Sequence, residues 1–115
     1  MNRSLLALMA LTCTASVIAD EPAKENATFK TGIAAGEIHE ECLRLAKGES
    51  RRYEWRSNIA LDFNIHYHEG SEVFYPVKRD SVKRSRSSFK AKIAQEYCWM
   101  WTAKTAAKLE GRIRK

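Results

Sequence analysis

After about residue 36 the chain breaks into short apolar segments punctuated by turns, the clearest of which alternate apolar and polar side chains with the two-residue period of half-buried β-strands. The clearest run is 61–68, where Leu61, Phe63, Ile65 and Tyr67 alternate with Asp62, Asn64, His66 and His68. Successive side chains of a strand point to opposite faces, so this run predicts a core face and a polar face that is free to bind. Glu69-Gly70-Ser71-Glu72 supplies a turn, and Val73-Phe74-Tyr75 its hairpin partner until Pro76 weakens pairing. Upstream, Tyr53 and Trp55 share a face after a turn at Lys47-Gly48-Glu49-Ser50. Downstream, Phe89, Ala91 and Ile93 alternate with Lys90 and Lys92, and Tyr97 to Thr102 reads as an aromatic strand. The stretches 36–46 and 104–114 fit either a helical or a strand period; strands are expected, because the neighbouring strands need partners. The pattern predicts an all-β fold, a small antiparallel β-sandwich of jelly-roll-like kind with about seven or eight strands. Its core includes Phe63, Ile65, Phe89 and Ile93.

The first nineteen residues read differently. Arg3 gives a cationic start, Leu5 to Leu11 is an apolar run, and Val17-Ile18-Ala19 ends on small residues, the pattern of a secretory signal peptide. The expected organisation is therefore a signal at 1–19, a polar flexible leader at 20–35 and the β-domain at 36–115. The expected location is the periplasm, with secretion as the alternative. Cys13 leaves with the signal, so Cys42 and Cys98 remain in an oxidising compartment, and a disulfide between them is the leading reading. Closing that loop removes roughly 4 kcal/mol of unfolded-state entropy. No later segment approaches the length of a transmembrane helix.

The formal net charge is +6, and about +5 without the signal. Such a balance favours an anionic partner, and export turns attention from nucleic acid to lipid headgroups, lipopolysaccharide, cell-wall polymers or an acidic protein face. Lys78, Arg79, Lys83, Arg84 and Arg86 read as a basic loop able to grip phosphates or simply to stay solvated.

His66-x-His68 is the most chemical spacing, since side chains two apart on a strand can reach one ion. A third ligand would come from Asp62, His39 or Met100, and a thioether would favour a soft copper-type metal. The opposing reading makes both histidines ordinary strand residues. In Tyr97-Cys98-Trp99-Met100-Trp101, alternation sets the aromatic rings opposite Cys98 and Met100. If the sulfur face is core, Trp99 and Trp101 form an outer platform extending a binding surface of Asp62 and Asn64; if not, they are covered. The sequence has no Gly-rich phosphate loop, nucleophile elbow or metalloprotease helix motif, and paired cysteines are unavailable as nucleophiles, so no enzyme activity is expected. Glu40 and Glu41, adjacent in sequence, are expected on opposite faces of a strand.

Two resemblances add to this. His39-Glu40-Glu41-Cys42, Leu61-Asp62-Phe63-Asn64-Ile65 and Tyr97-Cys98-Trp99-Met100-Trp101-Thr102 together resemble the GOLD domain, the lumenal β-sandwich of secretory cargo adaptors, and small uncharacterised bacterial exported proteins with a similar Asn64 to His68 strand and Cys-Trp-Met-Trp run. The resemblance implies a Cys42–Cys98 disulfide and a non-enzymatic interaction role; no cofactor is expected, with copper or another transition metal as the alternative. The adaptors' coiled coil and membrane anchor have no counterpart here. Locally, His66-x-His68 followed by Glu72 is similar to the first cupin metal motif, which would make those three residues ligands of a cupin-like metalloenzyme. The flanking glycines and the later histidine segment of that motif are missing. The combined reading is an exported binding module of unknown ligand. A copper-type binder using His66 and His68, or a cupin-like enzyme, are its alternatives.

Overall fold

The computed structural model describes residues 12–13 and 24–115, and every regular element among them is a β-strand. The strands are β1 (Ala27–Ile33), β2 (Ile38–Leu45), β3 (Ser50–Glu69), β4 (Glu72–Lys90), β5 (Gln95–Thr102) and β6 (Ala107–Arg114), all paired antiparallel. The expected signal peptide, Thr12 and Cys13 apart, lies outside the described residues.

The long β3–β4 hairpin organises the fold. The first part of β3 pairs β6, from Arg52↔Arg114 to Ser57↔Leu109. Its later part pairs β5, from Asp62↔Thr102 to His66↔Cys98. Between them the register with β4 slips: Arg56 faces Arg84 and Leu61 faces Val82, leaving extra residues on β3. Such a bulge bends a strand, and here it turns β3 from one group of strands (β1, β6) to the other (β5, β2). On the neighbouring stretch of β4, the Ser81 backbone, in the left-handed region at φ 55°, donates its N–H to Asp62 Oδ1 of β3 at 2.9 Å. A core closes inside the bend. Trp55 lies 5.2 Å from Phe63 and 6.0 Å from Trp101 between ring centres, and Phe29 of β1 lies 4.8 Å from Trp101 of β5.

Six strands replace the seven or eight expected, because the segments read separately at 52–56 and 61–68 are one continuous β3, and the basic stretch 78–86 is part of β4 rather than a loop. Serine and lysine suit an edge strand as well as a turn, since charge on an unpaired edge deters further pairing. The strands at 38–45 and 107–114 agree with the strand reading. The leader expectation needs correction: 27–33 is β1, which buries Ala27, Phe29 and Ile33 against β6. Ahead of it, buried Arg51 donates to the Glu25 carbonyl (2.9 Å) and to Glu49 (3.2 Å), anchoring the entry to the domain. Phe63, Ile65 and Phe89 are core as expected, but Ile93 is exposed because β4 ends at Lys90 and the alternation ends with it.

Gly111 of β6 lies between Phe29 of β1 and Trp55 of β3. A Cβ there would meet Glu54 O at 2.6 Å, Trp55 Cβ at 2.7 Å and the Phe29 ring at 2.7 Å. Two of those neighbours are backbone or backbone-proximal and have no room to move. Gly111→Ala is therefore expected to destabilise the fold by about 1–3 kcal/mol, read as a lower denaturant midpoint, whereas Gly32→Ala, with nothing nearer than 3.9 Å, should leave it far less changed.

Candidate functional site

The fold offers two polar sheet faces. The first is the outer face of the β2–β5–β3 region, where alternation along β3 does send Asp62, Asn64, His66 and His68 away from the apolar core. Register then aligns them with β5 and β2: Asn64 beside Met100 and Glu40, His66 beside Cys98 and Cys42. Cys42 and Cys98 are directly opposed and joined by a disulfide.

This face is less open than alternation implies. His66 is 4% exposed and Asn64 9%; only His68 is freely solvated. His66 Nδ1 lies 2.7 Å from Asn64 Oδ1 and Nε2 lies 3.1 Å from Glu40 Oε1, while the rings of His68 and Tyr75 stand 5.2 and 5.9 Å away. A polar residue on an outer strand face becomes buried when its neighbours are long enough to fold over it, as Glu40 and Tyr75 are here. Both ring nitrogens of His66 are thus engaged by the protein.

The other proposed ligands are dispersed. Asp62 accepts the Ser81 N–H. His39 points to the opposite side of β2, against Phe29 and Trp101, with its Nε2 3.2 Å from Glu41. Glu72 pairs with Glu69 at the exposed hairpin tip. Among the described residues, the one cluster of His, Cys, Asp or Glu ligand atoms within 4.8 Å is Glu40, Cys42 and Cys98, and its sulfurs are bonded to each other. Glu40 and Glu41 do take opposite faces: Glu40 meets His66, and Glu41 meets His39 and Lys24. Glu40 as the partner of His66 is a contact that sequence reasoning missed, because it depends on two strand registers at once.

Trp99 and Trp101 do not form a platform. Both are fully buried, so the aromatic side of β5 is core and the disulfide side faces outward. Inner-sheet bulk decides this: Tyr53, Phe63 and Phe89 surround the two indoles. Met100, on the outer side, is half-buried.

Burial pushes the His66 pKa below the ordinary histidine range, helped by His68 and opposed by Glu40. The unfolded chain then takes up a proton before the native state does. Stability from this group is complete above the ordinary value near 6.5 and declines as pH falls toward the depressed native value. Urea midpoints at pH 7.5 and 5.5 should therefore differ more in the native protein than in His66→Gln; equal differences would contradict this assignment.

The second face is the outer side of β1, β6, β3 and the late part of β4, and it is strongly cationic. Because Arg51, Tyr53 and Trp55 point inward, Arg52, Glu54 and Arg56 point out. Register sets Arg114, Arg112 and Glu110 of β6 beside them on one flank, and Ser88, Arg86 and Arg84 of β4 on the other. Lys30 of β1 lies beside Glu110. Six arginines thus share a face with two glutamates. Glu54 takes Arg112 Nε and lies 4.0 Å from Arg86, and Glu110 takes Arg56 Nε. Among the described residues, Arg52, Arg84 and Arg114 have no carboxylate within 4.0 Å.

Two arginine pairs are directly opposed across strands, Arg52 with Arg114 and Arg56 with Arg84. Like charges in that relation destabilise a sheet. A shallow depression of about 700 Å³ lies between these rows, over Glu54, Arg112 and Gly111. None of the exposed large hydrophobics (Ile38, Ile59, Val73, Phe74, Tyr75, Ile93) belongs to this face. Arg84 and Arg86 stand out in the sequence within the basic stretch 78–86, whereas their companions on β3 and β6 do not. The signal was there as same-face spacing: Arg52 and Arg56, Arg84 and Arg86, Arg112 and Arg114 each lie an even number of residues apart.

No protein-family model matches the chain, and no curated protein matches it. Solved structures share its fold at low identity. The Yersinia pseudotuberculosis-derived mitogen superposes with a TM-score of 0.58 at 10% identity, covering 78% of this chain and 85% of that one. The pre-peptidase C-terminal domain of a Bacillus anthracis collagenase gives 0.56 at 12% identity, covering 84% and 98%. Aeromonas hydrophila PliG, a periplasmic inhibitor of g-type lysozyme, gives 0.51 at 10% identity, covering 78% and 85%. At such identities the likeness concerns the fold.

Proposed function

We propose that this chain is an exported, non-enzymatic binding module that engages an anionic partner through its arginine face. The observation that carries the reading is the pair of directly opposed arginine couples on one sheet face, Arg52/Arg114 and Arg56/Arg84. A fold that sets like charges opposite one another across strands gains by meeting a counter-charge, and arginine forks suit phosphate and carboxylate groups. Export is supported by the N-terminal pattern and by the disulfide. A binding role is compatible with the similar folds, which include an inhibitor that acts on another protein and a mitogen. The GOLD resemblance points the same way.

The test is retention of the oxidised protein on sulfated dextran beads beside neutral dextran. Binding to the sulfated matrix alone, lost as salt rises from about 0.05 to 0.5 M because ions screen exposed charges, is the expected result. Equal behaviour on both matrices would remove the proposal.

A further inference from the structure

The two arginine couples are also a ruler. Arg52 and Arg56 are four residues apart on β3, roughly 13 Å at strand rise. Their partners lie on opposite flanks, Arg114 on β6 and Arg84 on β4, which offsets the couples by about one strand spacing. The centres of the couples are then roughly 14 Å apart. We infer that this face takes a ligand with two phosphomonoester groups at about that separation, one seated between Arg52 and Arg114 and the other between Arg56 and Arg84, as at the two ends of a phosphorylated disaccharide.

Valence selects phosphate. A carboxylate has two oxygens, which one guanidinium fork already satisfies, whereas a phosphomonoester presents three acceptor oxygens and nearly two charges, enough for two forks. The native acids leave the forks available: Glu110 takes the Nε side of Arg56, and Arg52, Arg84 and Arg114 have no carboxylate oxygen within 4.0 Å among the described residues. None of the exposed large hydrophobic side chains stands on this face, so it offers no protruding aromatic or aliphatic anchor of the kind that protein partners bury in a pocket. The inference rests on the arginine face being the binding surface.

The experiment titrates the full oxidised chain calorimetrically with an alkyl monophosphate, with alkanediol bisphosphates reaching less than, equal to and beyond about 14 Å, and with dicarboxylates of matched length. Two linked phosphates gain from effective concentration only when the linker spans both sites. The spanning bisphosphate is expected to bind at least about tenfold more tightly than the monophosphate or the short bisphosphate. Arg52→Gln/Arg114→Gln and Arg56→Gln/Arg84→Gln should each reduce it to the monophosphate level and erase the length dependence. All four side chains are exposed, so these variants should keep the fold, checked by near-ultraviolet circular dichroism. No length optimum, or dicarboxylates binding as well, would overturn the two-phosphate inference while retention on sulfated dextran left the broader reading intact. Loss of both results would bring down the broader reading as well. A bisphosphorylated disaccharide run beside the alkyl series tells a glycan ligand from free phosphate chemistry: binding no tighter than the alkyl monophosphate would sink the glycan form.

Discussion

Trp101→Ala is expected to lower the unfolding free energy by about 3–5 kcal/mol, the usual range for emptying a buried aromatic site. Trp101 is fully buried, and its ring lies 4.8 Å from Phe29, 5.5 Å from Phe63 and 6.0 Å from Trp55. Those neighbours come from β1 and from both parts of β3, so the side chain joins the two ends of the bend. Its collapse cannot be local, because the surrounding rings are fixed to separate strands. Trp101→Phe should cost much less, since the indole N–H has no hydrogen-bond partner among the described residues to lose. Guanidinium unfolding of the two variants measures this. A cost below about 1 kcal/mol for the alanine variant, the range of surface substitutions, would return Trp101 to an exposed platform and contradict the packing.

Opening the Cys42–Cys98 disulfide should have a comparable effect. The bridge spans 56 residues of sequence, for which loop-closure entropy gives roughly 4 kcal/mol. It also pins β2, an edge strand whose ladder partner is β5 alone. Reduction, or Cys42→Ala/Cys98→Ala, is expected to lower the melting temperature by roughly 10–30 °C for a domain of this size. The reduced wild type and the double variant should melt alike. A shift under about 3 °C would show that the β2–β5 ladder holds without the bridge.

These two effects mark what the residues announced and what they withheld. The alternation of Leu61 to His68 gave the strand and its inner face, and the two cysteines left after the signal gave the bridge. Alternation has no absolute sign, however. It separated Trp99 and Trp101 from Cys98 and Met100 without telling which set met the core. That depended on Tyr53, Phe63 and Phe89, which are distant in sequence and converge only once β3 bends. The bend itself escaped notice because it is a register slip at 57–60, with no glycine or proline to mark it. Reading His66 as open failed for a related reason: burial there comes from Glu40, two strands away, and from Tyr75 across the hairpin. The arginine face was legible only in pieces, since its charges come from β3, β4 and β6, and pairing is needed to assemble them.

On the proposed function, charge on this face, rather than net charge, does the binding. Arg52→Gln/Arg56→Gln/Arg114→Gln removes three cations from the face, and Lys78→Gln/Arg79→Gln/Lys92→Gln removes three from elsewhere on the exposed surface. Retention of these two variants on sulfated dextran at one fixed salt concentration is the decisive comparison. The first variant is expected to elute with the neutral-matrix control while the second stays bound nearly as well as the native protein. Equal loss in both would show that overall charge alone governs retention, and would contradict the claim.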